Sequence, residues 1–290
     1  MRARRSCLSA PARPARKLEK AAGLRADEIV IDLEDSVPPG LKPEARDAVA
    51  DALRDASWAA ASVSVRVNGI GTPWFEDDVR EVAGAGSRLD SVILPKAESG
   101  DDIEECAALL ESCGAAAGIQ ALIESAAGLQ AVDGIARSSA RLEALILGPA
   151  DMSVSLGFPS PEEGPRWDFV RGALLVAARA AGIQAIDGPF LQISDLAGLE
   201  ASARRAREFG FDGKWALHPA QIEPLNEIFS PSPREIALAE AILSALDDPS
   251  ADGAVMLEGE MLDEASRKRA EQTLARRQTP PGSCARDARP

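Results

Sequence analysis

Glu28-Ile29-Val30-Ile31-Asp32-Leu33-Glu34-Asp35, residues 28–35, combines an unbroken apolar run with an abrupt cluster of acids. A half-exposed strand would alternate apolar and polar residues. This run is too continuously apolar for that and suits a parallel strand covered on both faces. Leu145-Ile146-Leu147 repeats the pattern. Working outward from these two, short apolar and β-branched runs bounded by turn residues predict strands near 6–10, 28–34, 62–68, 91–96, 119–125, 142–148, 183–189 and 213–217. Between them, Pro43–Ala56, Asp101–Ser112, Phe169–Ala181 and Leu196–Phe209 carry helical spacing. Strict alternation of strand and helix predicts an α/β protein of the (β/α)8 TIM-barrel type. The competing open doubly wound sheet would carry a G-x-G-x-x-G turn after its first strand, and this chain does not.

The barrel core is expected over residues 1–229. Ser230-Pro231-Ser232-Pro233 then interrupts the chain. A C-terminal helical arm is expected over 230–278, with a helix at about 233–246, a polar loop from Asp247 to Gly253, and a last helix from near Leu262 to Arg276-Arg277. Residues 279–290, rich in Pro, Gly and Arg, read as a disordered tail.

Composition narrows the function. A formal net charge of −14 and a pI near 4.7 argue against a nucleic-acid partner, which requires a concentrated positive surface. No run approaches the roughly 20 apolar residues of a membrane helix. The Ser-Cys-Leu-Ser-Ala run after Arg5 is too short for a signal peptide and reads as the first strand. Cys7, Cys106, Cys113 and Cys284 form no C-x-x-C pair, so reduced thiols and a cytoplasmic location are expected.

The chemistry lies in the charged and polar residues at the strand ends: Glu34 and Asp35, Arg66 and Asn68, Lys96, Glu124, Asp151, Asp187 and His218. In a β/α barrel all carboxyl ends of the strands open on one face, so residues scattered along the chain become neighbours around one mouth. His218 is the sole histidine and the cysteines do not cluster, which excludes a nitrogen- or sulfur-rich zinc site. Carboxylates remain. Glu124 and Asp151 end adjacent strands and suit Mg2+, with Mn2+ as the second candidate, the substrate and water completing the octahedron. Each acid also suits capping of the helix that comes after it.

Arg66, in the otherwise apolar Val65-Arg66-Val67, should meet an anion: a substrate carboxylate or enolate, or else Glu34 or Asp35. Lys96 is expected to orient the acids or touch substrate; surrounding carboxylates disfavour a Schiff-base role. Glu34 and Asp35 are open to three uses: binding metal-bound water, pairing with Arg66 or Lys96, or starting the next helix. His218 suits bracing of the mouth as well as proton transfer. Trp74 and Phe75 suit loop packing better than stacking on a cofactor ring.

Taken together, Arg5-Ser6, Ile31–Val37 (IDLEDSV), Val65–Thr72 (VRVNGIGT), Leu94-Pro95-Lys96, Leu122–Ser125, Gly148–Asp151, Ala185–Gly188 and Phe211–Gln221 (FDGKWALHPAQ) resemble the citrate lyase beta-subunit-like and malyl-CoA lyase group of the HpcH/HpaI aldolase superfamily. The similarity spans about residues 5–275, and its strength lies in the order of the motifs on successive strands. It implies a metal held by Glu124 and Asp151, with Arg66 binding substrate and stabilising an enolate. It also implies a homotrimer or hexamer whose arm covers a neighbour's site. Asp263 matches an acid that such an arm delivers for proton transfer or thioester hydrolysis, and it equally suits the N-cap of the last helix. The implied reaction cleaves or forms a 3-hydroxyacyl thioester such as malyl-, citramalyl- or citryl-CoA, giving an acyl-CoA and a 2-oxo acid. One departure concerns the CoA site: the group usually has an aromatic strand and a Pro-Gly turn where this chain has Leu8-Ser9-Ala10-Pro11-Ala12-Arg13. Arg13 and Arg16 supply positive charge for a nucleotide phosphate, and an acyl-carrier-protein thioester is the other candidate. The competing readings are a malyl-CoA-type thioesterase, a class II aldolase acting on free 2-oxo acids, and a non-catalytic barrel subunit.

Overall fold

The computed structural model describes residues 2–86, 88–161, 164–248 and 255–277. Eight parallel strands form a closed barrel in chain order: β1 (Ser6–Pro11), β2 (Glu28–Asp32), β3 (Ser62–Arg66), β4 (Ser91–Leu94), β5 (Gly118–Ile123), β6 (Leu142–Leu147), β7 (Gln184–Asp187) and β8 (Gly213–Ala216). Closure is made by β8 pairing with β1, Ser6 opposite Lys214 and Leu8 opposite Ala216. Gly213 permits it, because a Cβ there would lie 1.7 Å from the Arg4 carbonyl oxygen. The (β/α)8 expectation holds, and each strand falls within a few residues of its predicted position.

Helices Lys42–Asp55, Gly100–Ser112, Asp168–Ala181 and Leu196–Phe209 form where their spacing predicted. Each buries an apolar stripe against the barrel, as Val170, Leu174, Ala177 and Ala178 do in the third. Local caps fix where two of them begin. Ser99 and Asp102 make a reciprocal capping box, and the Asp195 carboxylate accepts the Gly198 N–H.

Alternation along the strands sorts side chains into two cores. Ile29 and Ile31 of β2 face the helices, whereas Glu28, Val30 and Asp32 face the lumen. The lumen is layered. At the amino ends of the strands, Arg4 binds Glu28, Gln184, Ser91 and Glu143, and Gln120 binds Glu28, Ser64 and Ser91. Above lies an apolar belt that includes Val30, Ile93, Leu122, Ile146, Ile186 and Trp215. Above that, at the carboxyl ends, charge returns with Asp32, Arg66 and Glu124.

Past the barrel, the helix Pro233–Leu246 starts at a Ser232–Glu235 capping box. The arm is not wholly helical: β9 (Val255–Leu257) and β10 (Glu260–Leu262) pair antiparallel, and the last helix runs Glu264–Arg277. Leu262, expected near the start of that helix, lies in β10 instead. Glu258 and Gly259, both with positive φ, form the two-residue connection that such a hairpin requires. Arg276 reaches Asp212 of the barrel at 3.3 Å, and Arg277 pairs with Glu240 at 2.5 Å. Most of the expected polar loop (249–253), the tail at 279–290 and Cys284 lie outside the described residues. Cys7, Cys106 and Cys113 are free thiols. None of the described helices is long and apolar enough to cross a membrane.

Candidate active site

Arg66 ends β3 and points along the lumen into the mouth. Its Nε and Nη2 donate to the two Asp32 oxygens, each at 2.8 Å, in a bidentate clamp. Its Nη1 lies 2.9 Å from Glu34 Oε2 and 3.6 Å from Asp35. The guanidinium also sits over the Trp215 ring, 5.8 Å from its centroid. Burial works against the charged form of Asp32, but the hydrogen bonds and charge of Arg66 outweigh it and hold the carboxyl below its ordinary range.

Glu34 continues the network to Lys96, whose Nζ lies 2.5 Å from Glu34 Oε1 and 3.8 Å from Asp151 Oδ2. The Lys96 backbone N–H donates to Glu124 Oε1 at 2.9 Å. Glu124 is 4% exposed and packs against Gly148, where a Cβ would fall 2.5 Å from that of Glu124. Glu124 does not cap the next helix, since the Ser125 hydroxyl fills that role by accepting the Gly128 N–H. Asp151 lies in the first turn of the helix Pro149–Ser155, where the backbone dipole favours a carboxylate. Five strand-end carboxylates (Asp32, Glu34, Asp35, Glu124 and Asp151) thus gather around two cations, Arg66 and Lys96.

The profile of the HpcH/HpaI aldolase/citrate lyase family matches residues 5–219. The chain belongs to that family. It is 38% identical over 279 residues to an L-malyl-CoA/beta-methylmalyl-CoA lyase of Cereibacter sphaeroides, covering 87% of this chain and 88% of that one. It is 36% identical over 274 residues to a (3S)-malyl-CoA thioesterase of the same species, covering 94% of each. Among solved structures, CitE of Mycobacterium tuberculosis in complex with magnesium, acetoacetate and coenzyme A superposes with a TM-score of 0.79 at 32% identity, covering 94% of this chain and 98% of that one. The expected class, a carbon–carbon lyase, agrees with the family and with the lyases among these relatives.

In this family member the donor chemistry suits magnesium. Among the described residues no group of three or more His, Cys, Asp or Glu is arranged to hold a metal. A magnesium ion asks less of a protein, commonly one or two carboxylates with substrate oxygens and water. Burial and the charges of Glu34 and Asp151 push the Glu124 carboxyl up to about 8. One buried and one half-exposed carboxyl, crowded by further acids, make an oxygen-donor pair whose ionised form a hard divalent cation would stabilise. The residues fit the ion.

Other residues expected at the mouth have different surroundings. Asp187 leaves the mouth altogether. Its side chain faces the helix layer, buried with Lys214, with which it makes a close ion pair, and with Arg171 at 3.4 Å. Asn68 braces the loop after β3 by donating to Asp78 Oδ2 at 2.5 Å. His218 lies at the turn after β8, and its Nδ1 accepts the Ala220 N–H at 3.2 Å, capping its own turn. Phe75 is buried and Trp74 receives the Lys42 ammonium over its ring, so both serve loop packing. Arg13 pairs with Glu44 at 2.5 Å and Arg16 is exposed. Asp263 sits on the arm as the N-cap of the last helix, accepting the Ser266 N–H at 2.8 Å, which with the Ser266 hydroxyl holds its carboxyl below the ordinary range. Asp32 was not singled out from sequence, although it shares a lumen face with Glu28 and Val30 at every second position.

Proposed function

We propose that the protein is a magnesium-dependent carbon–carbon lyase that cleaves, or in reverse condenses, a 3-hydroxyacyl thioester such as malyl-, citramalyl- or citryl-CoA into an acyl-CoA and a 2-oxo acid. The observation that carries this reading is the convergence of Arg66, Lys96, Glu34, Glu124 and Asp151 at one end of one lumen. Glu124 and Asp151 would hold the ion. When bound, it would supply Lewis-acid polarisation of the hydroxy or oxo group of the substrate acid.

The chain's own residues do the rest. Asp32 occupies two of the five N–H donors of Arg66 and fixes the plane of the guanidinium, and a substrate oxygen would use donors that remain beside Glu34. In the cleavage direction a base takes the hydroxyl proton, and the oxygen's electron pair forms the carbonyl of the 2-oxo acid. The pair of the broken carbon–carbon bond becomes a thioester enolate, and a proton returned to its carbon completes the acyl-CoA. Negative charge grows on the enolate oxygen, and a preorganised guanidinium at that oxygen lowers the barrier. The Arg66–Trp215 contact keeps one face of the guanidinium away from water, which strengthens that interaction.

A thioesterase is the second reading, supported by the similarity to the (3S)-malyl-CoA thioesterase and by the exposed Asp263 carboxylate on the arm. In that reading, and for a homotrimer in which the arm reaches a neighbour's mouth, Asp263 would act on another copy's substrate. The deciding experiment identifies products by mass spectrometry over malyl-, citramalyl- and citryl-CoA, with and without magnesium. The lyase reading expects an acyl-CoA and a 2-oxo acid in equal amounts, dependent on magnesium. Free CoA and a hydroxy acid without any acyl-CoA would replace it with the thioesterase.

A further inference from the structure

Lys96 is unusual in both its backbone and its side chain. It adopts φ = +52°, the left-handed region that non-glycine residues rarely occupy, immediately after the Leu94-Pro95 strand end. Such a conformation persists where surrounding contacts over-determine it. Here those contacts are with carboxylates on three different strand ends: the backbone N–H holds Glu124, and the ammonium spans from Glu34 at 2.5 Å to Asp151 at 3.8 Å. One residue therefore touches both carboxylates assigned to the cation.

We propose that Lys96 is the resident counter-ion of the cation site, neutralising Asp151 and Glu34 until a divalent ion takes Asp151, and that it thereby sets the affinity of the site for that ion. This inference rests on the magnesium reading and adds to it a positioning residue that weakens metal binding. The physical reason is competition. An ammonium and a divalent cation repel each other across the few ångströms that separate Nζ from Asp151, so the charge of Lys96 opposes an ion on that carboxylate and favours its own withdrawal from it. Glu34, the nearer partner at 2.5 Å, keeps hold of the ammonium, so Lys96 can yield Asp151 without leaving the mouth. Lys96 is about half exposed, and solvent moderates the effect without abolishing it.

The test is calorimetric titration of magnesium chloride into the substrate-free wild type, Lys96→Met, Lys96→Arg and Glu124→Gln, each first checked for a native melting transition. Lys96→Met keeps the apolar stem and loses the charge, and it should bind magnesium about tenfold more tightly, the scale of one nearby charge in a largely solvated site. Lys96→Arg keeps the charge and should stay within about twofold of wild type. Glu124→Gln should lose the binding heat. Equal or weaker binding by Lys96→Met, or equal tightening by Lys96→Arg, overturns the counter-ion role while leaving the magnesium site standing. Absence of magnesium binding in both wild type and Lys96→Met sinks the site and this role together.

Discussion

Strands β2 and β5 each carry a polar residue at both ends of the same lumen, and the two ends are built on opposite plans. At the base, Arg4 is 2% exposed and meets Glu28, Gln184, Ser91 and Glu143, with Gln120 and Ser64 closing the network. One cation, two carboxylates and neutral side chains interlock there, and all but Glu143, at the edge, are shut away from water. At the mouth, five carboxylates face two cations, and Lys96, Asp35 and Asp151 are open to water. The difference separates work that holds the barrel together from work that awaits a ligand. A buried network whose members hold one another fixes a structure, whereas a cluster of carboxylates open to water at a cleft is placed to meet a ligand.

The contrast breaks most sharply if charge is removed from the mouth. Glu124→Gln and Asp151→Asn should each lower magnesium-stimulated turnover by about a thousandfold or more, while the urea midpoint of unfolding stays near wild type. A fall in turnover matched by a large loss of stability would mean that the mouth is structural after all. The opposite experiment removes charge at the base. Arg4→Met strands Glu28 in the lumen without its cation and should cost about 3–5 kcal/mol of stability in urea unfolding. The fraction that remains folded should keep its turnover number, because the apolar belt lies between Arg4 and the chemistry.

A smaller effect sharpens the same comparison through pH. Asp32 has its folded pKa held below the ordinary 3.8 by Arg66, so the stability it contributes is fully present above that value. It is lost as pH falls through the lower folded value. Asp32→Asn should therefore flatten the acid limb of a stability-versus-pH curve below about pH 4. An unchanged acid limb would show that the Arg66 clamp contributes nothing to folding.

Much of the barrel was legible in the sequence because buried parallel strands advertise themselves. Runs such as Ile29–Ile31 and Leu145–Leu147 are apolar on both faces, and the charged residues beyond them mark the mouth. Direction was harder. Asp187 reads like Glu124, an acid at a strand end, yet it comes one residue after the lumen-facing Ile186 and so turns to the helix layer. Counting by twos from an inward residue separates the two cases, and the same count would have found Asp32. The β9–β10 hairpin was missed for a different reason: three-residue strands containing Met carry little strand signal, and the Glu258-Gly259 turn is its one clear local mark. The left-handed backbone of Lys96 leaves no trace in composition, because neighbouring strand ends impose it.

The apolar belt of Val30, Ile93, Leu122, Ile146, Ile186 and Trp215 bears on how such a protein can change over generations. It insulates one ionic end from the other, so substitutions that retune the mouth for a new acid leave the foundation of the barrel undisturbed. New specificities can then accumulate at the rim with little penalty in folding, provided those six side chains keep the two halves of the lumen electrically apart.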